Sequence, residues 1–258
     1  MEAILVICAT AFIGSGLTLV SGFGLGTLLV PVFGLFFPIE VAISLTAIVH
    51  FLNNLFKLAL VGKNADKGIL VKFGIPSIFA AVAGAYLLTR ISDIPALYEY
   101  QIGESNYKLL PVKMVIGSLL AIFALLELWP TFRKLEIHSR YLPFGGVLSG
   151  FFGGLSGNQG ALRSAFLIKS GLTKEAYIGT GVVLACFIDI SRLTIYGSGF
   201  TSDFGSLPGL LLILATLSAF AGAWIGNKWL KKTTFSSVRT LVTLFLLAFA
   251  IALFGGFI

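Results

Sequence analysis

Charge is scarce in this chain. Of its 258 residues, 11% are Asp, Glu, Lys or Arg, against about 25% in a soluble domain, so the surface is not built for water. Histidine and cysteine are scarcer still, with two of each. Cys8 and Cys186 both lie inside apolar segments, where a thiol behaves as a small hydrophobe, so neither a disulfide framework nor a cysteine metal site is supported. His50 and His138 fall on different elements and cannot make a metal site alone. Nor does a strand lead into any of the glycine-rich stretches, which excludes a nucleotide-binding loop, and a serine nucleophile elbow is missing. No cofactor is expected. The start, Met1-Glu2-Ala3, brings no basic residue before the first apolar run, which argues against a cleaved secretory signal.

What is abundant is apolar: 57% of the residues are hydrophobic, in runs long enough to span a bilayer, which takes about 20 residues of helix. The expected fold is an all-α polytopic membrane protein whose main partner is lipid. The net charge of +7 sits in short loops between the runs, where it reads as orientation in the membrane rather than as a nucleic-acid surface.

Ile4 to Phe37 is crowded with glycine (Gly14, Gly16, Gly22, Gly24, Gly26, Gly34) and reads as a broken or re-entrant hairpin. Helices are expected over Glu40–Val61, Ile69–Thr89 and Leu110–Trp129, the last closed by Pro130. Arg90 to Lys108 is the most water-compatible stretch, and its Tyr98, Tyr100 and Tyr107 suit an interfacial anchor. After a basic linker, Gly145 to Gly160 is too short to cross twice as full helices before Lys169, and helices follow over Lys174–Tyr196, Leu207–Asn227 and Ser237–Phe254.

The second part echoes the first. Asn54-Leu-Phe-Lys57-Leu58 matches Asp189-Ile-Ser-Arg192-Leu193, Thr46 matches Thr180, Gly26 matches Gly160, Asp66-Lys-Gly68 answers Asp203-Phe-Gly205, and Gly84-Ala85-Tyr86 answers Gly222-Ala223-Trp224. Positive loops mark the cytoplasmic side. Lys63–Lys72, Arg133–Arg140 and Lys228–Arg239 are placed inside, Asp93–Glu104 and Asp203 outside. Asp66 and its counterpart Asp203 thus fall on opposite sides, so the repeats are inverted. Residues 1–130 form the first repeat, 131–142 a cytoplasmic linker and 143–258 the second. Each repeat is a glycine-broken hairpin plus three transmembrane helices, about eight full or partial spans in all, with both termini outside. Two related halves are a common plan for transporters, whose site lies between them near mid-bilayer.

Polar residues recur where the halves correspond. His50, Asn53, Asn54 and Lys57 are spaced three, four and seven apart and share a helix face; Asp189, Arg192 and Tyr196, with Ser191 beside them, form the matching stripe. A charge at the centre of a spanning helix costs about 2.5–3.5 kcal/mol on the insertion scale, so these faces must look into protein or water. A simpler reading pairs Asp189 with Arg192 and lets Lys57 snorkel to the inner surface. The second element is the run from Gly153 to Ser164, whose glycines free the backbone to unwind. A helix restarting after them points unpaired N–H groups into the break. Gly157, Asn158, Gln159 and Ser164 would add neutral contacts there, and Arg163 a fixed fork for an oxyanion. Close helix packing is the bland alternative, since Gly153 and Gly157, like Gly22 and Gly26, have small-xxx-small spacing. His50 suits either a proton site or a hydrogen-bonding strut.

The glycine-rich hairpin, with Gly22-Phe-Gly24-Leu-Gly26-Thr-Leu-Leu-Val-Pro31 in the first half, repeated after a basic linker, resembles the sulfite exporter TauE/SafE family, also called toluene sulfonate uptake permeases. The likeness covers nearly the whole chain. The second copy departs from the pattern at Asn158-Gln159 and lacks the following proline, with Ala165 near that place. The resemblance implies movement of sulfite, sulfonates or related anions across the cytoplasmic membrane. The residues themselves suggest a cationic, donor-rich site: Arg163, Arg192, Asn53, Asn54, Asn158, Gln159, Gly157 and Ser164 for the anion, with Asp189, His50 and Lys57 as coupling or charge-relay groups. The expected partners are a small anion, a coupling H+ or Na+ and a second copy in a homodimer. An anion channel or an intramembrane enzyme using His50 and Asp189 are the competing readings, and enzymatic activity is not expected.

Overall fold

A computed structural model describes residues 2–21, 24–129, 137–168, 170–199, 208–229 and 236–258. Gly22 and Phe23, residues 131–136 of the linker, the turn at Asp203 and the basic turn at Lys231 and Lys232 lie outside the described residues. The chain is a bundle of apolar helices: α1 (Glu2–Ser21), α2 (Leu25–Gly34), α3 (Ile39–Val61), α4 (Lys67–Ser92), α5 (Pro111–Leu128), α6 (Leu142–Ser156), α7 (Gly160–Leu167), α8 (Lys174–Gly199), α9 (Gly209–Trp229) and α10 (Ser236–Phe254). Four segments, Ile39–Asn64, Lys67–Ser92, Lys174–Ser198 and Gly209–Gly226, are long and apolar enough to cross a bilayer. Large apolar side chains on the outside, such as Phe79 at 73% and Ile251 at 69% exposed, suit contact with lipid tails. The result is an all-α polytopic membrane protein.

Both glycine-rich stretches are broken hairpins. The first pairs the 20-residue α1 with the ten-residue α2; the second pairs the 15-residue α6 with the eight-residue α7. Gly157 ends α6 with φ +80°, the left-handed conformation in which a side chain would be strained. α4 opens with a π-helical turn, Leu70–Gly74, before its regular part from Ile75.

The packing has a two-fold pattern. Helix α1 packs on α9 and α4 on α6, so each half lends a helix to the other. Helix α3 packs on its counterpart α8, and α5 on its counterpart α10. Along α3 and α8, Asn54 meets Asp189 while Asp66, just beyond α3, meets Thr180; the counterparts run antiparallel. The repeats are therefore inverted. Small residues permit the lent helices to approach. A Cβ on Gly146, Gly150 or Gly154 of α6 would come within about 2.2 Å of the carbonyls of Phe73, Ser77 and Ala81 of α4. One on Gly222 of α9 would come within 2.0 Å of the Phe12 carbonyl of α1. Gly226, four residues on, would place its Cβ 2.7 Å from the Gly16 backbone, so both stripes have four-residue spacing, the condition for helices to meet backbone to backbone.

One element departs from the all-α expectation. The stretch between α4 and α5 holds a two-stranded antiparallel hairpin, β1 (Tyr98–Ile102) and β2 (Ser105–Leu109). Its turn uses Gly103 at φ +61°. Glu99 and Lys108 pair across it at 2.7 Å, and Tyr100 and Tyr107 pack on Phe257, while the Tyr100 hydroxyl donates to the Gly255 carbonyl. At least two of the tyrosines expected as interfacial anchors thus serve tertiary packing against the end of α10.

Candidate functional site

The polar side chains converge where α3 crosses α8, beside the second break. Asp189 is 0% exposed and its carboxylate takes five donors. Oδ1 accepts from Arg192 Nε at 3.1 Å, Arg192 Nη2 at 2.8 Å and Gln159 Nε2 at 3.2 Å. Oδ2 accepts from His50 Nδ1 at 2.6 Å and Asn54 Nδ2 at 3.2 Å. Arg192, also 0% exposed, extends Nη1 to the Gly153 carbonyl at 3.4 Å, and the buried Tyr196 hydroxyl donates to the Gly154 carbonyl. A charge this deep is tolerable only when paired and hydrogen-bonded, and here both conditions hold.

Asn54 and Asp189 are counterparts in the two repeats, yet they touch. Two symmetry-related points meet only on their axis, so this contact marks the pseudo-two-fold axis of the protein. Counterparts that run antiparallel across a membrane are related by an axis lying in its plane. The two breaks meet near that axis as well: a Cβ on Gly26, in the first turn of α2, would lie 3.2 Å from the Gly157 carbonyl. A small pocket opens at the junction, lined by Thr27 of α2, Asn158, Gly160 and Ala161 of the second break, Leu120 and Phe123 of α5 and Leu246 of α10. The N-termini of two short helices and the Asn158 side chain thus border one space.

The residues picked from the sequence divide into groups. His50, Asn54, Gln159, Asp189 and Arg192 form the network. Arg163, half-buried, donates through Nη1 to Gln159 Oε1 at 3.2 Å and so joins it from α7. Asn158 lies in the pocket and donates to Ser156 Oγ at 3.4 Å. Gly157 forms the turn between the two, with its Cβ position 3.1 Å from Arg192 Nη1. Ser164 is half-buried on α7, away from the network's hydrogen bonds.

Asn53 and Lys57 turn to the other side of α3. With its amide oxygen facing the ammonium, Asn53 accepts from Lys57 Nζ at 3.2 Å and from Ser15 Oγ at 3.0 Å, and donates to the Ala219 carbonyl at 3.3 Å. Lys57 is 6% exposed, so it does not snorkel to the surface but lies within electrostatic range of Arg163. Ser15, Thr27 and Ala219 join the site's surroundings although the sequence pattern does not single them out. Thr27 was within reach, since it follows Gly24-Leu-Gly26, but Ser15 and Ala219 carry no sequence signal and owe their place to the approach of α1 and α9. Thr46 and Thr180, a matched pair, differ: Thr180 Oγ1 accepts from the Asp66 backbone N–H at 2.9 Å, while the buried Thr46 hydroxyl has no hydrogen-bond partner among the described residues. Among the described residues no cluster could hold a metal ion.

A family model described as Sulfite exporter TauE/SafE matches residues 6–253. No curated protein and no solved structure gave a significant match. The family match spans nearly the whole chain, and the chain belongs to that family, one of membrane transporters.

Proposed function

We propose that this member of the sulfite exporter TauE/SafE family carries a small sulfur-containing or organic anion, of sulfite or sulfonate type, across the cytoplasmic membrane by alternating access. The observation that carries this is the meeting of the two helix breaks at the axis between inverted repeats, beside a network holding more cationic than anionic groups. Anions are favoured at helix N-termini, and inverted repeats with broken helices bind their cargo at the repeat interface. In this reading Asn158 and the N–H groups opening α2 and α7 receive the anion in the pocket, with Thr27, Gln159, Ser164 and Asn54 as neutral donors nearby. Arg163 and Arg192 supply the positive charge. Asp189 holds Arg192 until the anion competes for it, and Lys57, kept in place by Asn53, adds positive potential. The chain acts as a carrier and not as an enzyme, and with no nucleotide-binding motif its energy comes from ion gradients. The basic loops at Lys63–Lys72 and Arg133–Arg140 face the cytoplasm, both termini face outside, and residues 131–142 join the two halves.

The test is uptake of labelled sulfite into proteoliposomes, with and without the same anion preloaded, competed by a panel of sulfonates and carboxylates. Saturable uptake stimulated by preloading is the expected result. Flux that is insensitive to preloading and far above carrier turnover would make the protein a channel, and no uptake of any anion in the panel would end the anion reading.

A further inference from the structure

The five donors around Asp189 make an anion site that is already filled, by the protein's own carboxylate. While that carboxylate is charged, Arg192 is neutralised and an incoming anion meets a like charge. Transport therefore needs a way to cancel the charge of Asp189. Among the described residues, the titratable side chains in hydrogen-bond contact with Asp189 are Arg192 and His50. Arginine does not give up its proton in proteins. His50 remains.

Resting on the transport reading above, we infer that the anion crosses together with one proton, and that the His50–Asp189 pair is the proton's binding site. In the resting state His50 Nδ1–H donates to Asp189 Oδ2 across 2.6 Å, and Nε2 carries a lone pair; the Asn54 amide nitrogen lies beside the ring, 3.0 Å from Nδ1 and 3.4 Å from Nε2. A proton arriving at Nε2 forms an N–H bond there. The Nδ1–H bond then breaks as an O–H bond forms on Asp189 Oδ2. His50 ends neutral with its proton on Nε2, and Asp189 ends as a neutral carboxylic acid. The Asn54 amide turns its oxygen toward the new Nε2–H. Arg192 is now a buried cation without a counter-charge, and the transported anion supplies one.

The coupling follows from charge. The unprotonated empty site and the protonated loaded site have the same net charge, with Arg192 paired in both, first to Asp189 and then to the cargo. The protonated empty site and the unprotonated loaded site each leave one unmatched charge near mid-membrane, which is costly, so neither reorients. One proton moves with each negative charge of the cargo, and direction follows from the two gradients. Around His50 the acting charges are Asp189 and Arg192 on α8 and Lys57 on its own helix, while Arg163 on α7 acts on Lys57 and Asp189. Lys57, Arg192 and Arg163 are positive against the single negative Asp189. A sodium ion would meet net positive charge, whereas a proton is taken into an existing hydrogen bond.

The experiment uses the full-length protein in proteoliposomes, with voltage clamped by potassium and valinomycin and labelled methanesulfonate as probe, since it stays ionised across the range. If only sulfite shows counterflow, sulfite replaces it and protein-free vesicles are subtracted. A tenfold inward proton gradient is expected to accumulate the monoanion about tenfold, a sodium gradient none. The readout for variants is the ratio of gradient-driven accumulation to counterflow in the same vesicles. Asp189→Asn fixes the neutral form, and this ratio should fall to the undriven level. His50→Gln, which keeps a donor toward Asp189 but carries no extra proton, should do the same and serves if Asp189→Asn does not fold. Wild-type counterflow without proton-driven accumulation, accumulation that follows sodium, or a proton-driven ratio preserved in both variants would overturn the inference while leaving the carrier intact. Absence of counterflow for every anion would remove the transport reading and this one with it.

Discussion

The two halves share a scaffold and differ in chemistry. Equivalent positions agree where the backbone needs it: Gly26 and Gly160 open the short helices, and Gly84 and Gly222 sit in the helices that cross to the other half. They differ on the axis, where Asn54 faces Asp189 at 3.2 Å. Two identical acids would put like charges in contact there, and two identical amides would leave Arg192 without its partner. Near-symmetry suits the architecture, while the site requires the symmetry to be broken.

The sharpest way to break the comparison is to restore symmetry. Asn54→Asp sets a second buried carboxylate against Asp189. Transport should fall at least a hundredfold and the folded protein should lose about 3–5 kcal/mol, the scale of an uncompensated buried charge. Exchanging the partners in Asn54→Asp with Asp189→Asn should recover part of the yield of folded protein, read by size-exclusion profile in detergent. If the exchange recovers nothing, contact across an axis is the wrong description.

Next in size is Arg192→Gln, which should abolish counterflow. The protein should remain folded in the membrane, because Asp189 can take up a proton, or hold one on His50, while His50, Asn54 and Gln159 still bond it. Normal flux from this variant would remove Arg192 from the site.

Gly150→Ala and Gly222→Ala test the shared scaffold. Each puts a Cβ within 2.2 Å of a backbone carbonyl on the facing helix, and each should cost about 1–3 kcal/mol through overpacking. Gly209→Ala, with nothing within 4 Å, should stay within about 0.5 kcal/mol. Thermal unfolding in detergent ranks the three.

The smallest effects come from the threonines. Thr180→Val strips the acceptor from the Asp66 N–H and should cost about 1 kcal/mol. Thr46→Val removes a buried hydroxyl that has no hydrogen-bond partner among the described residues and should be neutral or stabilising by up to about 1 kcal/mol. Equal losses in the two variants would mean that these counterparts are not distinct.

Much of the architecture was legible because the bilayer leaves few choices. Apolar runs of sufficient length must be helices, and glycine clusters mark their breaks, so the predicted ends lie within a few residues for α3, α5, α8 and α10. The β1–β2 hairpin is hidden by its polar, loop-like composition. Its signal was a period-two pattern closed by Gly103-Glu104, a two-residue turn of the kind hairpins use. The spacing of the polar stripe on α3 reads as one face, but the structure divides it. His50 and Asn54 look to α8, whereas Asn53 and Lys57 look to α1 and α9, and the spacing within a helix does not say which neighbour covers which edge of a broad stripe.

The exchange of helices between the halves also bears on how the chain is made. Helix α1 enters the bilayer early, but the surface it packs on belongs to α9, most of the chain later. At roughly 5–20 residues per second of synthesis, the wait is on the order of ten seconds. During it the backbone of α1 at Phe12 and Gly16, which the glycines of α9 later cover, is exposed to lipid or to whatever insertion factor shelters it. Contacts between distant parts of the chain form slowly, so the first half has no finished fold of its own to reach before the second arrives. Assembly is expected to be late and concerted, and a chain arrested before α9 should be a target for membrane proteolysis rather than a stable intermediate.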